Sequence, residues 1–322
     1  MNGAQPDQEM NWRAAKSPNI MKAGHFRIVG LGELLWDLLP AGKQLGGAPA
    51  NFAYITTLLG DEGIAASRVG SDELGDEAIR RLKQLGVSTS FIQRDSNHPT
   101  GKVNVKVDST GQPSFEICAP VAWDFLEWTP QWQKLAEQAD AVCFGSLAQR
   151  SAISQSTICC VLDVTRPDAL RIFDVNLRQN FYTKEILSNS MQRARIAKLN
   201  HEEVPRIMQL FGLEHLDNES SAQRLLSLYS LELVCVTRGQ AGSLLVGKET
   251  CSQHPGFPVK VRDTIGAGDA FTAALVHEFL RGSSLDHMNA VANRIGAWVA
   301  SEAGAMPVLK PGGREEMLSE IS

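Results

Sequence analysis

The sequence predicts a layered α/β protein whose central sheet is mostly parallel and is covered by helices on both faces. From residue 25 onward, short apolar runs alternate with amphipathic helical stretches. Most of these runs are continuously apolar, which is typical of strands buried on both faces of a parallel sheet. The 322 residues are 43% hydrophobic and 21% charged, as expected for a globular chain with a large core. The alternation favours one layered domain over the two that the length alone allows.

Seven strands and seven helices are predicted in this order. The strands lie at residues 26–31, 64–69, 141–144, 171–175, 196–199, 233–237 and 243–246. The helices lie at residues 52–59, 73–85, 131–138, 202–211, 221–229, 270–280 and 286–302.

One segment breaks the alternation of strands and helices. Val103, Val105 and Val107 alternate with polar residues ahead of a polar turn at residues 109–113. The pattern predicts a β-hairpin over residues 100–118 with no helix between its strands. We expect this hairpin to form a lid or a dimer edge.

Charge and cysteine content exclude several classes of protein. The net charge of −5 argues against a nucleic-acid binder that neutralises many phosphates. No run approaches the ~18 apolar residues of a membrane span. The six cysteines include no C-x-x-C pair, which favours reduced thiols in a cytoplasmic protein over disulfides or a metal site. Residues 1–24 are polar, without the apolar core of a secretory signal, and are expected to form a loose tail. Residues 312–322 form a second expected tail.

The most informative motif is DTIGAGDAF at residues 263–271, which opens an apolar-periodic helix. Its small residues expose backbone N–H groups where the helix dipole favours an anion. A helix cap would explain Asp269 alone, but not Gly266 and Gly268 beside it. A carboxylate next to an anion site suits a base that accepts a proton from an attacking hydroxyl. We expect the dipole to keep Asp269 ionised at neutral pH.

A second glycine cluster, GGAPAN at residues 46–51, precedes the first predicted helix. Its glycines would let a polyol approach the backbone, and Asn51 could both donate to and accept from hydroxyl groups. Asp37 follows the first strand and is expected at that strand's carboxyl end, where ligands bind in open α/β sheets.

Together the two motifs resemble the two signatures of the PfkB (ribokinase-like) carbohydrate kinases, the first motif in its fructokinase form. Their order and separation also match, and the resemblance runs from about residue 25 to residue 311. It implies a ribokinase-like three-layer α/β fold in one kinase domain at residues 25–311, with a small β lid at about residues 100–120. It also implies ATP-dependent phosphorylation of a sugar hydroxyl. Fructose is the best single substrate, with ribose, 2-keto-3-deoxygluconate, tagatose-type sugars and nucleosides as alternatives.

The resemblance assigns roles to individual residues and implies a homodimer formed through the lid. Asp269 would be the catalytic base, and the anion hole would be formed by Gly266, Ala267 and Gly268. The sugar would be held by Asp37, Gly47, Asn51 and Arg178, and the nucleotide by Thr237, Gly239, Gly242 and Asn293. Mg²⁺ would be organised through water by Asn200 and Glu203. Asp263, with the loop at residues 301–306, would hold a monovalent cation such as K⁺.

Three of these assignments have simpler alternatives. The N-x-x-E pattern at residues 200–203 is also a helix capping box. The turn at residues 237–242 could be an ordinary β-turn after a strand. Arg178 could form an ion pair at the surface.

Other enzyme classes fit the sequence less well. The G-x-G at residues 30–32 imitates a dinucleotide-binding fingerprint, but Leu35 replaces its third glycine and Pro40 interrupts the expected helix. No G-x-x-x-x-G-K-[ST] occurs, which excludes a P-loop kinase, and no H-E-x-x-H suggests a metal hydrolase. A non-catalytic sugar-binding regulator would require loss of the base or the anion hole, and the sequence retains both.

Overall fold

A computed structural model describes residues 25–39, 42–107, 113–214 and 216–309. The expected tails at residues 1–24 and 312–322 lie outside these ranges. Strands within them are β1 (Arg27–Leu31), β2 (Leu35–Leu39), β3 (Gly42–Gly46), β4 (Glu62–Gly70), β5 (Ser88–Asp95), β6 (Gly101–Val107), β7 (Pro113–Ile117), β8 (Ala141–Gly145), β9 (Leu170–Asp174), β10 (Ile196–Asn200), β11 (Leu233–Thr237), β12 (Ser243–Gly247) and β13 (Cys251–His254). Helices are α1 (Ala48–Leu59), α2 (Glu73–Gln84), α3 (Pro130–Gln138), α4 (Ala152–Val164), α5 (Lys184–Arg193), α6 (Glu203–Phe211), α7 (Asn218–Tyr229), α8 (Ala267–Arg281) and α9 (Leu285–Ser301).

The central sheet has nine strands in the order β13-β12-β11-β10-β9-β8-β1-β4-β5. Pairing is parallel from β11 across to β5, and β12 and β13 add an antiparallel edge. This mostly parallel sheet confirms the fold class that the sequence predicts. The carboxyl ends of the parallel strands meet at one edge, where open α/β sheets bind ligands.

Helices cover both faces of the sheet and create two hydrophobic cores. Successive strand residues point to opposite faces, so Ile28 joins one core and Val29 the other. The first core is completed by α1, α2, α8 and α9, and the second by α3 to α7. Residues of β8, β9 and β10 that face α8 therefore lie beneath the DTIGAGDAF motif. Among the described residues, no helix is long and apolar enough to cross a membrane.

A second sheet of four strands has the order β3-β2-β6-β7 and forms the lid. Its β6–β7 hairpin occupies the segment in which the sequence predicts a hairpin, and Val105 pairs with Phe115 there. The other half is the β2–β3 hairpin, and β2 pairs in parallel with β6. The lid is therefore larger than the predicted segment at residues 100–120, because strands from two distant parts of the chain combine in it.

The predicted elements agree with the observed ones to within a few residues. The largest difference is α1, which begins at Ala48 rather than at residue 52, and α8 begins at Ala267 rather than at residue 270. The prediction omitted six elements of the described chain: β2, β3, β5, β13, α4 and α5.

Candidate active site

The first turn of α8 contains the two glycines of the DTIGAGDAF motif. Its N-cap residue, Gly266, has a left-handed backbone with φ 80°. A Cβ at Gly266 would lie 2.5 Å from the Cβ of Ala305, so this position needs glycine for space as well as for conformation. The Ala267 N–H donates to Thr264 O at 3.3 Å. The amides of Gly268 and Asp269 follow in the first turn, where helical geometry provides no acceptor.

Asn51 brings the GGAPAN motif into direct contact with the DTIGAGDAF motif. Its side chain lies in the first turn of α1, and its Nδ2 donates to Asp269 Oδ2 at 2.8 Å. Asn51 is 3% exposed, and within the described part of the chain its buried Oδ1 has no hydrogen-bond partner. A buried acceptor without a donor is costly in the free protein, so this atom is ready for a ligand hydroxyl.

Gly47 begins α1 with φ 107°, outside the range that side-chain-bearing residues adopt readily. A Cβ here would lie 2.4 Å from the carbonyl oxygen of Glu33. Glycine therefore lets the start of α1 pack directly on the chain that follows β1.

Burial and the neighbouring Asp174 carboxylate together raise the pKa of Asp269 to about 6. The hydrogen bond from Asn51 and the charges of Lys198 and Arg178 act in the opposite direction. At neutral pH a carboxyl group with this pKa is mostly ionised, in agreement with the expectation, but its pKa lies above that of an ordinary aspartate because burial raises it. A pKa near 6 makes Asp269 a better proton acceptor than an ordinary aspartate.

Glu33 is a site residue that the sequence analysis missed. It follows β1, is 3% exposed, and its Oε2 is buried without a partner. Burial raises its pKa to about 7, and Asp269 adds to the effect. Glu33 was overlooked because the stretch that contains it, residues 30–35, was considered only as an incomplete dinucleotide-binding fingerprint.

The sequence analysis also missed a buried ion pair beneath the first turn of α8. We call residues 266–268 of this turn the glycine turn. Lys198 Nζ lies 3.1 and 3.2 Å from the two carboxylate oxygens of Asp174, which are in register on β10 and β9. Thr272 on α8 donates to Asp174 Oδ2 at 3.0 Å. A Cβ at Gly268 would lie 3.0 Å from Lys198 Nζ. The only sequence signal is one lysine in an otherwise apolar strand.

Asp37 lies inside β2 of the lid, opposite Gln44 and Val103. The expectation that it lies at the end of β1 was wrong, because the chain turns at Gly32 and starts the lid sheet before reaching it. Burial raises the pKa of Asp37, and Arg178 lowers it. Arg178 is exposed, and its charge also lowers the pKa of Glu33 and of Asp269.

Asn200 and Glu203 form the capping arrangement that was the simpler alternative. Asn200 Oδ1 accepts the N–H groups of Glu202 and Glu203, at 2.9 and 2.8 Å. The Glu203 carboxylate accepts the N–H groups of Leu177 and Asn200, at 2.7 and 2.8 Å. Burial raises the pKa of Glu203. Glu203 also fixes the loop that carries Arg178, because Leu177 is the residue before it.

Asp263 ties the DTIGAGDAF motif to the loop at residues 301–306. Its carboxylate accepts the N–H groups of Ile265 and Gly304, at 3.0 and 3.1 Å. A Cβ at Gly304 would lie 3.4 Å from Gln44 Oε1 of the lid, so lid and loop are in contact.

The turn after β11 is compact at one end and open at the other. Gly242 has φ 78°, and a Cβ there would lie 1.9 Å from His254 O. Gly239 has nothing within 4 Å of its added Cβ, and Thr237 ends β11 beside it. Asn293 is 8% exposed and donates to Ser243 Oγ at 2.6 Å. Its amide group is therefore engaged in a buried polar cluster behind this turn.

Among the described residues, no group of three or more His, Cys, Asp or Glu side chains could hold a metal ion. The six cysteines are free; Cys143 and Cys235 are buried, whereas Cys251 is exposed.

Named proteins resemble this chain in sequence over most of its length. A fructokinase of Salmonella typhimurium is 31% identical over 297 residues, which cover 87% of this chain and 94% of the relative. A fructokinase of Escherichia coli is 31% identical over 309 residues, covering 90% and 97%.

Solved structures give the same result. An uncharacterised sugar kinase from Pyrococcus horikoshii in complex with ATP superposes with a TM-score of 0.76 at 30% identity, covering 91% of this chain and 97% of that one. A fructokinase from Vibrio cholerae, a double mutant bound to fructose, ADP and potassium, has a TM-score of 0.76 at 22% identity, covering 92% and 98%, and shows the fold alone. The model of the pfkB family carbohydrate kinases matches residues 41–311. This family match over most of the chain, together with relatives at 31% identity, shows that the chain belongs to the PfkB family of carbohydrate kinases.

Proposed function

We propose that this kinase is a fructokinase that transfers the γ-phosphate of ATP to a hydroxymethyl oxygen of fructose. The observation that carries the proposal is the 2.8 Å hydrogen bond from Asn51 to Asp269, which joins the two glycine-rich motifs. The substrate assignment is supported by the GGAPAN motif and by fructokinase relatives at 31% identity.

In this proposal Asp269 accepts the proton of the attacking hydroxyl. The sugar lies between the lid and the start of α1, with Asp37, Gly47 and Asn51 binding its hydroxyl groups. Asn51 Oδ1, which has no hydrogen-bond partner among the described residues, accepts one of them. Arg178 adds a donor fork for sugar or phosphate oxygens.

Charge on the transferred phosphoryl group is stabilised by the amides at the start of α8. Phosphoryl transfer depends mainly on positioning and electrostatic stabilisation. Gly266, Ala267 and Gly268 present a backbone turn at a helix N-terminus, which favours an anion. The lid excludes water, which limits hydrolysis of ATP.

ATP would occupy the edge of the sheet next to the turn after β11. Thr237, Gly239 and Gly242 would line the phosphates and the ribose, and the open space over Gly239 supports this placement. Asn293 is committed to Ser243 and Asn289, so we assign its role to shaping the wall of this subsite.

The donor set fits a magnesium ion that is brought by ATP rather than held in a protein cage. Mg²⁺ in such sites keeps several waters and binds phosphates with few carboxylates. Glu203 and Asn200 already accept backbone N–H groups, and their remaining lone pairs could bind magnesium-bound water. The ion supplies charge neutralisation for the phosphates. Asp263 and the loop at residues 301–306 would frame a K⁺ site.

The direct test is a coupled ADP-release assay with Mg²⁺ and K⁺ over a panel of fructose, ribose, 2-keto-3-deoxygluconate, tagatose and nucleosides. We expect the highest kcat/KM with fructose and a lower rate when K⁺ is replaced by a large organic cation. A higher kcat/KM with another sugar would replace fructose as the substrate. No ATP turnover with any of them would favour a sugar-binding regulator.

We further propose a cytoplasmic homodimer formed through the lid. Free thiols, including the adjacent Cys159 and Cys160, suit a reducing compartment. The four-stranded lid has two edge strands, β3 and β7, and exposed sheet edges readily pair with other chains. Sedimentation equilibrium tests the dimer, and a monomer at assay concentration would contradict it.

A further inference from the structure

The ion pair under the glycine turn has no role in the assignments above. Lys198 is 6% exposed and Asp174 is 4% exposed. Burying two charges is expensive, and a pair of apolar side chains often stabilises a core at least as well. Stability alone is therefore a weak reason for a buried ion pair at this place.

Its position connects three elements of the site. Lys198 on β10 and Asp174 on β9 are directly opposite in the sheet, on the face that carries α8. Thr272 on α8 donates both to Asp174 at 3.0 Å and to the carbonyl of Gly268 at 2.9 Å. The pair thus supports the first turn of α8 from below.

The ammonium itself contacts the glycine turn. It lies 3.0 Å from the point that a Cβ of Gly268 would occupy, so a side chain there would collide with it. In the described part of the chain its acceptors are the two oxygens of Asp174, although an ammonium has three N–H donors.

Carboxylates surround Asp269 on several elements. Asp174 lies at the end of β9, and Glu33 follows β1. Burial raises the pKa of the Cys143 thiol on β8, and the charges of Asp174, Asp269 and Glu33 add to this effect. Lys198 is the buried cation of this group, and Arg178 is the exposed one. Asn51 faces Asp269 from α1 and carries no charge.

We propose that Lys198 is a positioning residue for phosphoryl transfer: held by Asp174, its ammonium supports the glycine turn and balances the buried carboxylates around Asp269. The proposal rests on the assignment of Asp269 as the base.

The test compares Lys198→Met, Asp174→Asn and the double variant with Lys134→Met, which makes the same change on the exposed face of α3. We expect Lys198→Met to lower kcat about 100-fold and to move the acid limb of kcat/KM to higher pH, because Asp174 is then uncompensated. Asp174→Asn moves that limb to lower pH. The double variant buries no unpaired charge, and its kcat stays at least about tenfold below wild type with a sugar KM changed less than threefold. Lys134→Met behaves as wild type.

A double variant with wild-type kcat would show that the pair is only structural. If Lys198→Met does not fold, as judged by thermal unfolding, the double variant decides the question. Asp269→Asn in the same series tests the base assignment separately from the role of Lys198. Normal turnover of Asp269→Asn would remove the base assignment, and the effect of Lys198 on kcat would then be read from the double variant. If the wild type phosphorylates no sugar, NMR titration of the Asp269 carboxyl carbon still tests the proposal. The pKa of Asp269 should be higher in Lys198→Met and lower in Asp174→Asn than in the wild type.

Discussion

Asp269 combines three properties at one residue: a place at a helix N-terminus, a donor from Asn51 and a raised pKa of about 6. We expect Asp269→Asn to lower turnover by about 10³-fold, because an amide cannot accept the hydroxyl proton. Sugar binding, measured by calorimetry, should change little, because the amide still bonds to Asn51. Asp168→Asn, an exposed aspartate beside Arg166, is the control. Near-normal turnover of Asp269→Asn would remove the base assignment.

The same pKa predicts the acid side of the pH profile. Since Asp269 must be ionised to act, kcat/KM of the wild type should fall as the pH drops through about 6. An acid limb near pH 4 would contradict the effect of burial on this carboxyl group.

Glu33 predicts an unusual dependence of stability on pH. Its pKa is raised from 4.5 in the unfolded chain to about 7 in the folded protein. The folded protein then holds a proton that the unfolded chain has lost, so the free energy of unfolding falls as the pH rises from 4.5 to 7. Glu33→Gln should remove this fall and stabilise the protein at pH 8 by up to about 3 kcal/mol.

Urea unfolding at pH 5 and pH 8 measures this effect, with the exposed Glu249→Gln as control. If the free energy of unfolding falls by the same amount between pH 5 and pH 8 in Glu33→Gln and in the wild type, Glu33 does not hold the proton.

At the residue scale, the sequence predicted the groups that lie in glycine-rich motifs and missed those that lie in strands or loops of ordinary composition. Asp269 and Asn51 stand out because glycine next to a polar residue has few purely structural explanations. Lys198 and Asp174 become visible only when β9 and β10 are placed in register, since their pairing depends on the sheet. The sequence analysis selected Asp37 as a candidate but placed it at the end of β1, whereas it lies in β2.

At the scale of elements, the start of α8 depends on a glycine that fits against the loop at residues 301–306. Gly266 and Gly212 both have left-handed backbones, with φ of 80° and 69°, but a Cβ would meet Ala305 only at Gly266. We expect Gly212→Ala to destabilise the protein by about 1–2 kcal/mol, through backbone strain alone. Gly266→Ala should lower the free energy of unfolding by about 1–3 kcal/mol more than Gly212→Ala does, because its Cβ would also collide with Ala305.

Gly266→Ala should also weaken activation by K⁺, because it displaces the loop from Asp263. Thermal unfolding and K⁺-dependent kinetics of the two variants measure both effects. Equal destabilisation of Gly266→Ala and Gly212→Ala would show that the loop yields without strain.

Seven of the nine strands of the central sheet were predictable because most of them are continuous apolar runs, whereas the edge strands β5 and β13 are mixed in polarity and were not predicted. The β2–β3 hairpin was not predicted either, since its residues are mixed in polarity and pair with a strand more than 60 residues away along the chain. A hairpin of this kind has no local pattern that distinguishes it from a loop after β1.

At the scale of the whole molecule, the lid is joined to the main domain through β2, β6 and their neighbours and contacts the loop at residues 301–306 through Gln44. We expect amide hydrogens of the lid strands to exchange faster than those of β8, β9 and β10, because a four-stranded sheet at the edge has fewer buried partners. Fructose with a non-hydrolysable ATP analogue should slow exchange in β2 and β6. Mass spectrometry of hydrogen exchange measures this, and unchanged lid exchange on saturation would contradict closure over the sugar.

The hydrogen bond between Asn51 and Asp269 joins residues 218 positions apart in the chain. A ribosome must therefore synthesise most of the protein before the sugar-binding half meets the half that carries the base. Because domains assemble during synthesis from the amino terminus onward, a nascent chain shorter than about 270 residues holds the sugar motif without a base. Unfinished or truncated chains consequently cannot consume ATP, and the appearance of kinase activity in a translation reaction reports completion of the fold.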